Sequence, residues 1–261
     1  MNNLTINEIM KRDLEKCYFS ISFYPSIIYY NEGQDYIKER KVYTIIGCNI
    51  YGVRKYITSI FASDFSKGSD WYNLFSLWKK KGIETIFFAI IPNNKCIKET
   101  LKLAFPNIKT YTSYFETINK IDKFFSCSYS NDLLQKFKNI YLANDINDFE
   151  FKKQFFIDET IDKPFVFDLI ANDFNIIADY IKIPISLRKH LFSFYFAREI
   201  TKKLNTLSHS TSYFNSLLEY IELLLPTIQT MEVRMYSSKS EWNSVITCIY
   251  NENKDLLISY L

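Results

Sequence analysis

The chain has 261 residues, 18% aromatic content, five glycines, six prolines and a formal charge of +3. That length is enough to bury one substantial core, and no Pro/Gly/Ser-rich linker divides it into independent halves. So small a net charge excludes a nucleic-acid reading based on bulk electrostatics, and leaves only local clustering of Lys and Arg to carry one. Cys17, Cys48, Cys96, Cys127 and Cys248 are odd in number, widely spaced and without a C-x-x-C pair, which fits free thiols in a reducing compartment. The N-terminal segment is polar, and no apolar run approaches the ~20 residues of a membrane helix. A soluble, cytoplasmic protein with no membrane partner is the expectation.

Residues 1–17 read as an extension. Strands follow over 18–30, 42–50 and 54–63, with Asn49-Ile50-Tyr51-Gly52 joining the second and third in a tight turn, so this pair reads as an antiparallel hairpin. The pattern then changes. An amphipathic helix over 69–81, with Trp71, Leu74, Phe75 and Trp78 on one side, stops at Lys79-Lys80-Lys81-Gly82, where basic residues and glycine suit a helix C-terminus. Phosphate contact is the second reading of those lysines. Ile86 to Ile91 is a continuous apolar run, the signature of a strand covered on both faces, and Pro92 breaks it. A helix over 94–104 and a short strand over 108–112 complete an α/β alternation that calls for parallel pairing. A meander followed by βαβαβ is the element order of a ribonuclease-H-like fold, an α/β architecture with a mixed five-stranded sheet.

Beyond Ser113 the periodicity is helical, over 115–125, 131–143, 145–160 and 165–180, with Asn, Asp, Ser or Pro breaks between segments. The core therefore spans 18–113, an all-helical insertion spans 114–185, and 186–261 returns to complete the core with helices over 186–207, 211–225 and 239–250. Tyr213, Phe214, Leu217, Leu218, Ile221, Leu224 and Leu225 form a broad apolar stripe that reads as core, with a partner surface as the alternative. The C-terminal end of the central strand is where α/β proteins place ligands and catalytic groups, which singles out Pro92-Asn93-Asn94. No P-loop, dinucleotide fingerprint, Ser-His-Asp ordering or paired-cysteine zinc site is present. His190 and His209 stand apart from cysteines and acids at metal-ligand spacing and read as structural.

Val42-Tyr43-Thr44-Ile45-Ile46-Gly47, Trp71 through Gly82, Ala104-Phe105-Pro106, Lys138-Asn139-Ile140-Tyr141-Leu142-Ala143 and Leu187-Arg188-Lys189 occur in that order. In this combination the chain resembles the mutator-type transposases of bacterial insertion sequences, whose catalytic domain is ribonuclease-H-like with a helical insertion. The resemblance implies three carboxylates that hold two divalent metals for phosphoryl transfer on DNA. The matching positions are near Phe23 to Ser26 for the first acid, Pro92 for the second and Arg198 for the third, and none is acidic. The spacing of 106 residues from Pro92 to Arg198 is close to the family pattern. Ser113 and Glu116 stand where the family has a Cys and a His. Family transposases also carry a helical DNA-binding region before the catalytic domain, whereas about 17 residues precede the first strand here, so recognition of element ends is not assumed.

The resemblance thus implies a transposase-derived protein that has lost metal-dependent strand transfer and binds DNA or helps assemble a complex, with no metal and no cofactor. The enzyme alternative is an active, divergent transposase using Mg²⁺ and displaced carboxylates, with Glu116 and Glu199 as fallback acids. A third reading is a structural subunit in a homo-oligomer or protein complex. In 186–209, Arg188, Lys189, Arg198, Lys202 and Lys203 face one acid, Glu199, and read either as phosphate contacts or as a solvated helix face.

Overall fold

β1 (Cys17–Asn31), β2 (Ile37–Asn49) and β3 (Arg54–Phe61) form the meander, with β2 antiparallel to both neighbours. The computed structural model describes residues 13–33, 36–65, 67–113, 131–162, 171, 173–191, 200, 202–204, 206, 212–234 and 239–258. After a short 3₁₀ turn the chain enters α1 (Gly68–Lys80), β4 (Thr85–Ile91), α2 (Lys95–Ala104) and β5 (Lys109–Thr112). β4 pairs parallel to β1, and the sheet order is β3-β2-β1-β4-β5. This is a mixed five-stranded sheet in the ribonuclease-H-like arrangement that the element order implies.

Two local devices set the register of the meander. Asn49 accepts backbone N–H bonds from Tyr51 and Val53 at 3.0 Å on its side-chain oxygen, and Gly52 takes a φ of +81° to close the turn. Gly47 on β2 leaves the space across which the Tyr18 ring lies; a Cβ there would come within 2.3 Å of it.

Both faces of the sheet are covered. On one, Ile21 and Phe23 of β1 and Ala89 and Ile91 of β4 pack with Trp71, Phe75 and Trp78 of α1 and Ile97 and Leu101 of α2. On the other, the C-terminal helices α7 (Leu217–Arg234) and α8 (Lys239–Ile258) supply Tyr220 and Trp242. Trp242 Nε1 donates to the Ile50 carbonyl at 2.6 Å, its ring meets Phe19 edge-on, and its indole covers Gly52. β4 is buried along its whole length, as its unbroken apolar run requires.

Residues 1–110 with 193–261 form one compact unit and 111–192 another. The second unit contains α3 (Asn131–Tyr141), α4 (Ile146–Glu159), α5 (Asp173–Ile181) and α6 (Ile185–Leu191). Phe137 of α3 meets Phe156 of α4 at a centroid distance of 5.5 Å, and Asp145 caps α4 by accepting from the N–H groups of Asn147 and Asp148. The helix expected over 211–225 starts later and ends later. Phe214 instead exchanges backbone hydrogen bonds with the end of β1, donating to Tyr29 and accepting from Asn31, and Ser216 then caps α7 by accepting from Glu219 N–H. The helix expected over 115–125 and part of that over 165–180 lie outside the described residues. Among the described residues, no helix is long and apolar enough to cross a membrane.

The burial has a chemical signature. Burial pushes the Cys17 thiol up to about 12, with the Glu84 carboxylate adding to the rise, the Cys48 thiol up to about 11, and the Tyr24 phenol up to about 12. The folded state holds these groups neutral while the unfolded chain ionises first. Stability from them is therefore fully present below roughly pH 9 and is lost as pH rises toward roughly pH 12. The urea midpoint is expected to fall from about pH 8 to about pH 10.5 while varying little between about pH 7 and pH 8. Gly52→Ala, which forces a side chain into a left-handed turn against the Trp242 ring, is expected to lower unfolding free energy by about 1 kcal/mol or more in the same assay.

Candidate functional site

β1 and β4 run side by side, with Ser22 opposite Ile90, so the residues that follow each of these on its strand lie at the same end of the sheet. At that end β4 gives way to Pro92, which is buried, and to Asn94, which caps α2 by accepting from Ile97 N–H at 3.3 Å. This is a strand end followed directly by a helix start, the geometry in which α/β proteins expose reactive groups. Pro92 brings only a ring to it.

The alternation of β1 decides which side chains the sequence reading placed near the first acid can take part. Phe23 points into the α1/α2 side, 6.2 Å from Trp71 and 6.1 Å from Tyr43 between ring centroids. Tyr24 and Ser26 lie on the opposite face, the one covered by α7 and α8. There Ser26 Oγ and the Tyr220 hydroxyl share a hydrogen bond of 3.0 Å, and the Thr44 hydroxyl also bonds to the Tyr220 phenol. Thr44 and Ser59 share another at 3.2 Å, and the Tyr56 hydroxyl donates to Ser59 at 3.1 Å. The result is a buried chain of five hydroxyls across three strands and one helix, from Ser26 through Tyr220, Thr44 and Ser59 to Tyr56. Each finds its partner inside the chain, and burial raises the Tyr220 phenol so that it stays a neutral donor.

Neither β1 nor β4 nor β5 contains an Asp or Glu, and among the described residues no three His, Cys, Asp or Glu side chains group at metal-holding distance. A pair of divalent cations needs anionic oxygens to offset its charge. Satisfied neutral hydroxyls and a proline do not fit that demand.

The sequence model of the family described as "Transposase, Mutator family" matches residues 3–230. The chain belongs to the mutator family of transposases. No curated protein matches it. Within this mutator-family chain, the five cations singled out by sequence meet different fates. Arg188 is buried at 4% exposure; its two terminal nitrogens donate to the carbonyls of Ala143 and Asn144, each at 2.6 Å, and its guanidinium lies 5.6 Å from the centre of the Tyr180 ring. It ties α6 to the turn before α4 and is consumed by that contact, so it does not present its charge to a phosphate. Lys202 is exposed and Lys203 half-buried. Arg198, the fallback acids Glu116 and Glu199, and the Lys189 side chain lie outside the described residues.

Sequence reasoning did not anticipate two of these contacts. Arg188 was legible as one more cation in a basic run and as part of the Leu187-Arg188-Lys189 segment, but the signal for its structural role lay 45 residues away, in a short inter-helix turn whose carbonyls need donors. Ser26 and Tyr220 are 194 residues apart and belong to periodic patterns that say nothing of each other.

Arg188→Lys keeps the charge but loses the fork that serves two carbonyls at once. It is expected to cost about 1.5–3 kcal/mol in chemical denaturation. Duplex-DNA affinity measured on the folded variant should change less than about twofold, because the side chain already serves the protein's own backbone.

Proposed function

We propose that this mutator-family chain binds DNA through backbone phosphates and does not cut or join it. The observation that carries the reading is the hydroxyl chain on the face of β1 where an acid would have to stand, together with Pro92 at the end of β4. An ionised carboxylate in that interior would be stable only with a cation beside it. Hydroxyls already paired with each other need none, and they leave the sheet and its helices packed as a rigid scaffold. Membership of a transposase family supports DNA as the partner. What such a scaffold offers DNA is surface charge, and contact through phosphates is salt-sensitive and largely indifferent to sequence. In the C-terminal part of the chain, exposed Lys202 and, by sequence, Arg198 one helical turn before it are the cations assigned to that contact.

Fluorescence anisotropy with labelled duplex across a salt series tests the binding half. Affinity should fall steeply with salt, and Arg198→Ala combined with Lys202→Ala should flatten the log–log slope by about 2, one phosphate contact for each cation. The chemical half is tested with supercoiled plasmid and Mg²⁺ or Mn²⁺, where no nicking or joining above background is expected. Metal-dependent nicking that disappears in Glu199→Gln or Glu116→Gln would overturn it.

A further inference from the structure

The charge of the chain is unevenly placed. Residues 79–109 hold seven lysines and two glutamates, a surplus of five positive charges in a chain whose total is +3, so the remainder is net negative. Both glutamates are occupied: Glu84 pairs with Lys16 at 3.5 Å and Glu99 with Lys95 at 3.7 Å. Lys79, Lys80, Lys98 and Lys102 are exposed and, among the described residues, pair with no carboxylate.

The fold gathers these four. α1 and α2 pack side by side on the same face of the sheet, burying Trp71, Phe75 and Trp78 from one helix and Ile97 and Leu101 from the other. α1 ends where β4 begins, and α2 starts where β4 ends, so both helices run back along β4 and finish at the same end. Lys79 Nζ sits 5.4 Å from the centre of the Phe105 ring, directly after the last turn of α2, which fixes the two helix ends beside each other. Lys102 lies in that last turn and Lys98 one turn before it on the same stripe.

A helix C-terminus attracts cations, and that accounts for one or two of the lysines. It does not account for Lys98, which lies a full turn back, nor for like charges stacked at i and i+4, an arrangement that weakens a helix unless something anionic covers it. Buried apolar side chains hold α1 and α2 on the sheet, and of the four lysines only Lys79 adds a contact between the two helix ends, over Phe105. The four lysines form an outward-facing group of positive charges, without carboxylate partners among the described residues, on the opposite side of the sheet from α7 and α8.

We infer that the paired ends of α1 and α2 are a second nucleic-acid contact, at which Lys79, Lys80, Lys98 and Lys102 bind the phosphate backbone of duplex DNA. The inference rests on the DNA-binding reading above and assigns it a surface that is separate from the 186–209 segment. With two backbone contacts in separate segments of the chain, a single copy can hold two duplex segments at once, or one that bends around it.

The test uses the full-length protein with Lys79→Gln, Lys80→Gln, Lys98→Gln and Lys102→Gln combined, against a control of equal charge change, Lys38→Gln, Lys67→Gln, Lys182→Gln and Lys254→Gln. All eight positions are exposed, and unchanged circular dichroism and thermal midpoint establish that both variants are folded. In the anisotropy salt series the four-lysine variant is expected to lower the log–log slope by about 3 to 4 while the control lowers it by less than about 1. A wild-type-like slope in the four-lysine variant, or an equal loss in the control, overturns this surface and leaves DNA binding itself standing. Absence of any salt-sensitive duplex binding by the wild-type protein overturns the DNA reading and this inference with it.

Discussion

Burial of the two central strands on both faces is the constraint on which the rest depends. β1 and β4 are covered on one side by the aromatic row of α1 and the apolar face of α2, and on the other by α7 and α8. In such an interior an ionised side chain is tolerated only with an opposite charge or a full set of hydrogen bonds around it. A family built on phosphoryl transfer meets that condition with metal ions. Among the described residues, this chain places no charge on that face of β1. Ser26, Tyr220, Thr44, Ser59 and Tyr56 satisfy one another, and Trp242 closes the same face by bonding the Ile50 carbonyl. The hydroxyl chain therefore does two things: it stitches α7 to three strands, and it leaves that face of β1 neutral.

The same logic distributes the remaining charge. Arg188 is the exception that enters an interior, and it does so with two carbonyls as acceptors and an aromatic ring beneath it. Other lysines stay outside, paired where acids are near, as Lys152 is with Asp148 at 2.8 Å and Lys136 with Asp132 at 2.7 Å. Against that background the uncompensated lysines of α1 and α2 stand out. A neutral interior and a concentrated exterior charge fit the proposed reading of a protein that holds nucleic acid and leaves its covalent bonds alone.

How much of this was legible in the sequence follows the range of the interactions. The β2–β3 hairpin was readable because Asn49 and Gly52 act within four residues. β4 was readable because a strand buried on both faces must be apolar throughout, and α1 because its tryptophans repeat with the helical period. The start of α7 was not. Phe214 looked like part of the apolar stripe that opens at Tyr213, but the open edge of backbone at the end of β1 captured it, and only then did Ser216 provide a cap. Nor was Arg188 separable from Lys189, since a charge count does not reveal which side chain has carbonyls within reach.

The sequence by itself determined the order of strands and helices, the α/β class, the family, and the lack of acidic residues in β1, β4 and β5, all of which depend on residue type and local period. Only the tertiary structure decided that Tyr24 and Ser26, and not Phe23, share a face with α7, and that Tyr220 completes a hydroxyl chain across 194 residues. It also brought Lys79 at the end of α1 beside Phe105, directly after α2. The physical reason is common to these cases: facing direction and proximity are set by strand pairing and helix packing, which join segments that carry no mark of each other in the chain.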